Sequence, residues 1–168
     1  MVVASFDGCE DLTVGAGVDV LNVKNGWVAE IKNKHNTVKG SDNKGIYDSL
    51  EKAISKYKDK HRREFCGYYV QIIPKGGESY DKPFRPSDNT KKGQKRPDNE
   101  KIRIISGPLF YEQMSGQKNA LKMLFDVLPL VLKQNFGLDC KITNEEMENL
   151  FKASFLGGSL KGSVLDNS

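Results

Sequence analysis

The dipeptide Asn25-Gly26 sits between two alternating apolar runs, Val18-Asp19-Val20-Leu21-Asn22-Val23 and Trp27-Val28-Ala29-Glu30-Ile31-Lys32. Asn-Gly in that setting predicts a two-residue hairpin turn, because both central positions need positive φ. A two-residue turn fixes the pairing: Lys24 opposes Trp27, Val23 opposes Val28, Leu21 opposes Glu30 and Asp19 opposes Lys32. Opposed residues share a face and side chains alternate along each strand. Asp19, Glu30 and Lys32 are therefore expected on one face of one hairpin.

Two carboxylates and a lysine on one face are a candidate metal site. Hard carboxylate oxygens suit Mg²⁺, an ion that keeps several waters and takes one or two protein carboxylates plus substrate phosphate. A lysine beside them can orient or deprotonate a metal-bound water and neutralise charge building on a phosphate. An exposed hairpin with an Asp19–Lys32 ion pair satisfies the same spacing, and the spacing does not choose between the two.

Asp19 followed by Glu30-Ile31-Lys32 resembles the PD-(D/E)XK nuclease core, in which an acidic residue begins one strand and (D/E)-X-K lies on the next. Val18 stands where the motif's name has proline. The run Val28-Ala29-Glu30-Ile31-Lys32-Asn33-Lys34-His35-Asn36-Thr37 is similar to a block of the type II restriction endonucleases that cut GGNCC-type sites. Gly67-Tyr68-Tyr69-Val70-Gln71-Ile72-Ile73-Pro74-Lys75 also resembles that family, as does the stretch from Asn119-Ala120-Leu121 to Val127-Leu128-Pro129. The likeness covers about residues 15–133.

The resemblance implies an α/β fold, a restriction-endonuclease-like core with a mixed β-sheet flanked by helices. It implies Mg²⁺-dependent double-strand cleavage of DNA at a short near-palindromic site, leaving 5′ phosphates. Asp19 and Glu30 would hold the metal with the Ile31 carbonyl, and Lys32 would position the attacking water. A homodimer matching the site's symmetry and a cognate DNA methyltransferase are the implied partners. The chain resembles an amino-terminally shortened member, since only 17 residues precede Val18. That leaves two alternatives: a non-catalytic DNA-binding remnant, and a repair or phage nuclease of the same superfamily. An unrelated structural or interaction protein with an incidental hairpin is a further rival.

A chain of 168 residues with 38% hydrophobic and 29% charged residues fits one domain. Residues 1–156 are expected to form it, with 157–168 a flexible tail. No apolar run approaches the roughly 18 residues of a membrane helix. Cys9, Cys66 and Cys140 are far apart and show no Cys-x-x-Cys, which fits a reducing cytoplasm with free thiols. The net charge of +4 permits polyanion binding without demonstrating it.

A helix is expected over residues 43–60, capped by Ser41 or Asp42, with Ile46, Leu50, Ile54 and Tyr57 on one face. Residues 66–73 read as a strand, so strand, helix and strand suggest a crossover in a mixed sheet. Residues 74–101 contain no Val, Ile or Leu and four prolines, which predicts a long loop without a core element. In a nuclease such a loop would wrap DNA, with Lys91, Lys92 and Lys95 meeting phosphates and Arg85 or Arg96 reaching guanine edges; disorder is the competing reading. Asn33, Lys34, His35, Asn36 and Thr37 follow the metal strand directly and are expected near DNA, whereas His61 reads as surface. Beyond the loop a strand is expected at 102–105 and helices at 108–114 and 118–136. The last carries Leu121, Leu124, Phe125, Leu128 and Leu132 on one side and a kink at Pro129. Thr143-Asn144-Glu145-Glu146 predicts a capping box opening a helix that Gly157-Gly158 ends.

Overall fold

The computed structural model describes residues 2–12, 17–36, 42–88 and 94–156. Six strands form one mixed sheet: β1 (Cys9–Asp11), β2 (Val20–Asn22), β3 (Trp27–Lys34), β4 (Cys66–Ile73), β5 (Asp81–Pro83) and β6 (Ile102–Ser106). Their spatial order is β1-β2-β3-β4-β6-β5. The centre, β3-β4-β6, is parallel, and the other pairs are antiparallel. Four helices flank the sheet: α1 (Asn43–His61), α2 (Gly107–Ser115), α3 (Ala120–Phe136) and α4 (Asn144–Phe155). This is the mixed α/β architecture expected.

Parallel neighbours need a crossover, and α1 supplies it between β3 and β4. Its apolar face is Ile46, Tyr47, Leu50, Ala53, Ile54 and Tyr57, all buried. They pack on Leu21, Val28, Tyr69 and Ile102, the residues of one sheet face. The opposite face, with Val20, Trp27, Ala29, Val70 and Ile105, receives Phe110 and Tyr111 of α2, Leu121 of α3 and Phe151 of α4. Gly107 lets α2 begin hard against β4: a Cβ there would meet the Ile72 carbonyl oxygen at 2.5 Å.

The turn corrects the expected register. Asn22 pairs with Trp27, Leu21 with Val28 and Val20 with Ala29. The connection therefore has four residues, 23–26, and only Gly26 has positive φ. The cause is Asn22. Its side chain is buried and donates to the Asp7 carbonyl at 3.0 Å and the Cys9 thiol at 3.2 Å, while its Oδ1 accepts from the Asn25 N–H at 2.8 Å. Its carbonyl also accepts from the Gly26 N–H. The segment ahead of the hairpin, for which no element was expected, thus adds strand β1 and dictates the turn.

Residues 74–101 also depart from expectation. They contribute β5, which pairs with β6, and the buried Phe84, which lies 5.0 Å from the Tyr69 ring. One aromatic residue seats a segment that lacks aliphatic ones. His61, expected at the surface, is half-buried and stacked on Tyr57. α4 carries the expected capping box, with both reciprocal bonds between Thr143 and Glu146. Asp42 is the N-cap residue of α1 but makes no side-chain capping bond. α3 runs through Pro129 as one helix. All three cysteines are free. Ser41, Gly157, Gly158 and the expected tail lie outside the described residues.

Candidate active site

Asp19, Glu30 and Lys32 come together despite the changed register. The offset from the expected pairing is two residues, and side chains alternate with period two. Asp19 accordingly falls opposite Glu30 rather than Lys32, on the same face. That is the face packed by α1, and the three residues lie where the aliphatic packing ends, toward the carboxyl ends of the parallel strands.

Backbone bonds hold the arrangement. The Asp19 N–H donates to the Ala29 carbonyl at 2.9 Å, and the Asp19 Oδ2 accepts from the Ile31 N–H at 2.7 Å. In a strand, the N–H and C=O of one residue point to the same side. The Ile31 N–H that donates to Asp19 puts the backbone groups of Ile31 on the β2 side of β3.

Lys32 Nζ lies 2.5 Å from Glu30 Oε1, with the side chains 32% and 14% exposed. The ion pair runs along one strand rather than across the hairpin to Asp19. Burial pushes the Glu30 carboxyl up, and the Asp19 charge adds to that against the opposing hydrogen bond from Lys32. Burial alone would lower Lys32, but the hydrogen bond with Glu30 and the charges of Glu30, Asp19 and Tyr69 hold it above its ordinary value.

Among the described residues no group of three or more His, Cys, Asp or Glu converges. Two carboxylates and one backbone carbonyl are an all-oxygen, incomplete donor set. It suits a hard divalent cation that keeps water in its shell and does not suit a zinc cage.

The residues after the site occupy its open end. Asn33, Lys34 and Asn36 are exposed and His35 is half-buried, tied to β4 by its N–H bond to the Ile73 carbonyl. Thr37, Lys91 and Lys92 lie outside the described residues. The two arginines of the basic segment are held within the protein. Arg85 forms a two-pronged pair with Asp98. Arg96 binds Asp48 of α1 and sits 5.2 Å from the centre of the Tyr47 ring. Lys95 is exposed.

Sequence reasoning assigns no site role to three residues that lie beside it: Tyr69, Gln71 and Tyr80. Glu30 pairs with Tyr69 and Lys32 with Gln71 in the parallel ladder. That register depends on a crossover through α1, and no local pattern announces it. Two cavities lie elsewhere. One of about 440 Å³ is lined by Lys58, Asp59, Arg62, Arg63 and Glu64. Another of about 470 Å³ opens between α2, α3 and α4. Neither touches the carboxylates.

Comparisons with known proteins give the family. The family model of the Eco47II restriction endonuclease matches residues 1–136. The type II restriction enzyme Eco47II of Escherichia coli is 39% identical over 130 residues, covering 76% of this chain and 53% of that enzyme. The type II restriction enzyme Sau96I of Staphylococcus aureus is 31% identical over 133 residues, covering 78% and 49%. The chain thus spans about half the length of these curated relatives. No solved structure matches it. The matched stretch contains β1 to β6 and the whole Asp19–Glu30–Lys32 arrangement, and the chain belongs to the Eco47II restriction endonuclease family.

Proposed function

We propose that this chain is the nuclease domain of a type II restriction endonuclease. It hydrolyses both strands of duplex DNA at a short near-palindromic, GGNCC-like site, with Mg²⁺ as cofactor. The observation that carries this reading is the half-buried face shared by Asp19, Glu30 and Lys32 in a chain of that family. Asp19 and Glu30 hold the ion, joined by the Ile31 carbonyl. When bound, the ion supplies Lewis acidity and an activated water. Lys32 would orient the attacking water for in-line displacement of the 3′ oxygen and offset the charge on the phosphate. Asn33, Lys34, His35, Asn36 and Lys95 line the approach to DNA. A homodimer in the cytoplasm, opposed by a cognate methyltransferase, completes the system.

The test is cleavage of a mixed-sequence plasmid with Mg²⁺. Discrete fragments are expected. Glu30→Ala should abolish cutting and metal binding. Lys32→Ala should abolish cutting and retain much of the metal and DNA binding. Gel retardation without cutting would instead mark a non-catalytic DNA-binding protein. Absence of salt-dependent DNA binding would sink both.

A further inference from the structure

Near the site the sheet sorts its charges by face. Strand alternation puts Glu30, Lys32 and Lys34 of β3 on the face packed by α1. On β5, Lys82 pairs with Ile104, which packs against that same face, while Asp81 pairs with Ile105 of the opposite face. There Asp81 is neutralised by Arg103. Lys82 is exposed and meets no acid among the described residues. Lys75, in the loop that leaves β4, is also exposed and also meets none. The reaction above uses neither lysine.

Both are placed by fixed neighbours. Lys82 Nζ lies 5.3 Å from the centre of the Tyr80 ring. The Tyr80 hydroxyl donates to Gln71 Oε1, its N–H donates to Ser106 Oγ at 3.2 Å, and its carbonyl accepts from the Ser106 N–H at 2.9 Å. Gln71 and Ser106 are 8% and 0% exposed, so two buried polar side chains are engaged in holding one tyrosine. The same bonds close the loop 74–79. It leaves β4 at the buried Pro74 and is fastened again at Tyr80. Between these two feet stand Lys75, Gly76, Gly77, Glu78 and Ser79. Gly76 and Gly77 have φ of 63° and 72°, and a Cβ on Gly76 would meet nothing within 4 Å. The backbone conformation, not packing, calls for glycine there, and it leaves the tip of the loop bare for a close approach.

The spacing matches a duplex. Lys82 lies level with Glu30, because Glu30 pairs with Tyr69, Tyr69 with Ile104 and Ile104 with Lys82. Three strand spacings separate them, about 14 Å. That is roughly four base pairs along a duplex axis. Lys75 rises from β4, which lies between β3 and β5 in the sheet.

We propose that Lys75 and Lys82 hold backbone phosphates of a DNA duplex lying across the carboxyl ends of β3, β4 and β6, a few base pairs from the bond cut at Glu30. This rests on the nuclease reading. The two lysines replace Arg85 and Arg96 as the anchor, since those arginines are tied to Asp98 and Asp48. Phosphate contacts fix the register of a protein on a duplex without reading its sequence. The Tyr80 ring keeps the Lys82 ammonium in place, which reduces the ordering that binding requires. Glu78, the one acid in the loop, offsets part of the field.

The experiment is fluorescence anisotropy of a short labelled duplex titrated with the whole chain over a range of salt, without divalent metal so that nothing is cut. Lys75→Ala and Lys82→Ala should each flatten the slope of log K against log salt by about 0.9. Each should weaken binding equally on a mixed-sequence duplex and on one carrying GGNCC. Lys60→Ala changes the net charge identically at an exposed position near the carboxyl end of α1, and should leave the slope as it is. An equal flattening by Lys60→Ala would show a diffuse field rather than contacts and overturn the anchor. Unchanged slopes for both Lys75→Ala and Lys82→Ala would overturn it too, and plasmid cleavage by the unmodified chain in Mg²⁺ would then leave the nuclease reading standing. In that cleavage the two variants should raise KM with kcat nearly unchanged; a loss of kcat instead would put the lysine at the reacting phosphate and overturn the anchor. An unmodified chain with no salt-dependent DNA binding overturns the nuclease reading and the anchor together.

Discussion

Helices α1 and α3 have comparable sequence periodicity and opposite fates. α1 buries six side chains against the sheet face that carries the site. α3 buries only Leu121, while Met123, Val127, Leu130 and Phe136 are 55%, 46%, 55% and 70% exposed. The expected apolar side of α3 shares that exposure: Leu124 is 36% and Leu128 45% exposed. α3 is attached to the α2 side of the core through Leu121 and to α4 through Phe125, edge-on to Phe151 and Phe155, and Lys122, which reaches Glu148. Periodicity therefore states that a helix has an apolar face and leaves open whether the fold covers it.

The comparison can be broken at several points. The largest effect is expected at Leu50, which is fully buried between α1 and the sheet. Leu50→Ala should destabilise by about 2–5 kcal/mol, measured by urea denaturation, because it removes packed methyl groups and leaves a cavity. Next comes Thr143, whose capping box opens the helix on which α3 leans. Thr143→Ala should cost about 1 kcal/mol. It should also raise amide exchange in α4 and α3 together while leaving α1 protected; exchange confined to α4 would show that α3 is held by something else.

A smaller effect separates charge from packing at the carboxyl end of α1. Glu64 bonds Lys101 and Lys58, which hold its carboxyl down to about 2, below the ordinary 4.5. A depressed carboxyl contributes stability above its unfolded value and loses it as pH falls through the folded one. The Glu64 contribution is thus present above pH 4.5 and gone near pH 2. Glu64→Gln should flatten the stability profile in that window and leave neutral pH nearly unchanged, since exposed pairs are weak. An unaltered acid limb would mean that the pair contributes nothing. The smallest effect is expected from Leu128→Ser on α3, within about 0.5 kcal/mol of no change. A loss matching Leu50→Ala would show that the α3 face is packed in solution.

Much of this was legible in the sequence because it is local. The bounds of α1 and β4 follow from periodicity, the start of α4 from Thr143 and Glu146, and the shared face of the two acids and the lysine from strand alternation. What escaped depends on contacts between distant residues. The turn length is set by Asn22 reaching back to Asp7 and Cys9. The seating of residues 74–101 rests on Phe84 finding Tyr69. The nearness of Tyr69 and Gln71 to the site is a property of parallel pairing across a crossover. Arg96 shows the same limit, since its attachment to Asp48 spans the loop and α1.

The four-residue turn also bears on how this hairpin tolerates changes in length. Its two ends are anchored, by Asn22 on one side and by the Gly26 carbonyl accepting from the Cys66 N–H on the other. Residues added between these anchors would lengthen the loop and leave β2 in register with β3, so Asp19 would stay on the face of Glu30. Releasing the Asn22 anchor would free the pairing, and a slip by one residue would then turn Asp19 to the α2 side, away from Glu30.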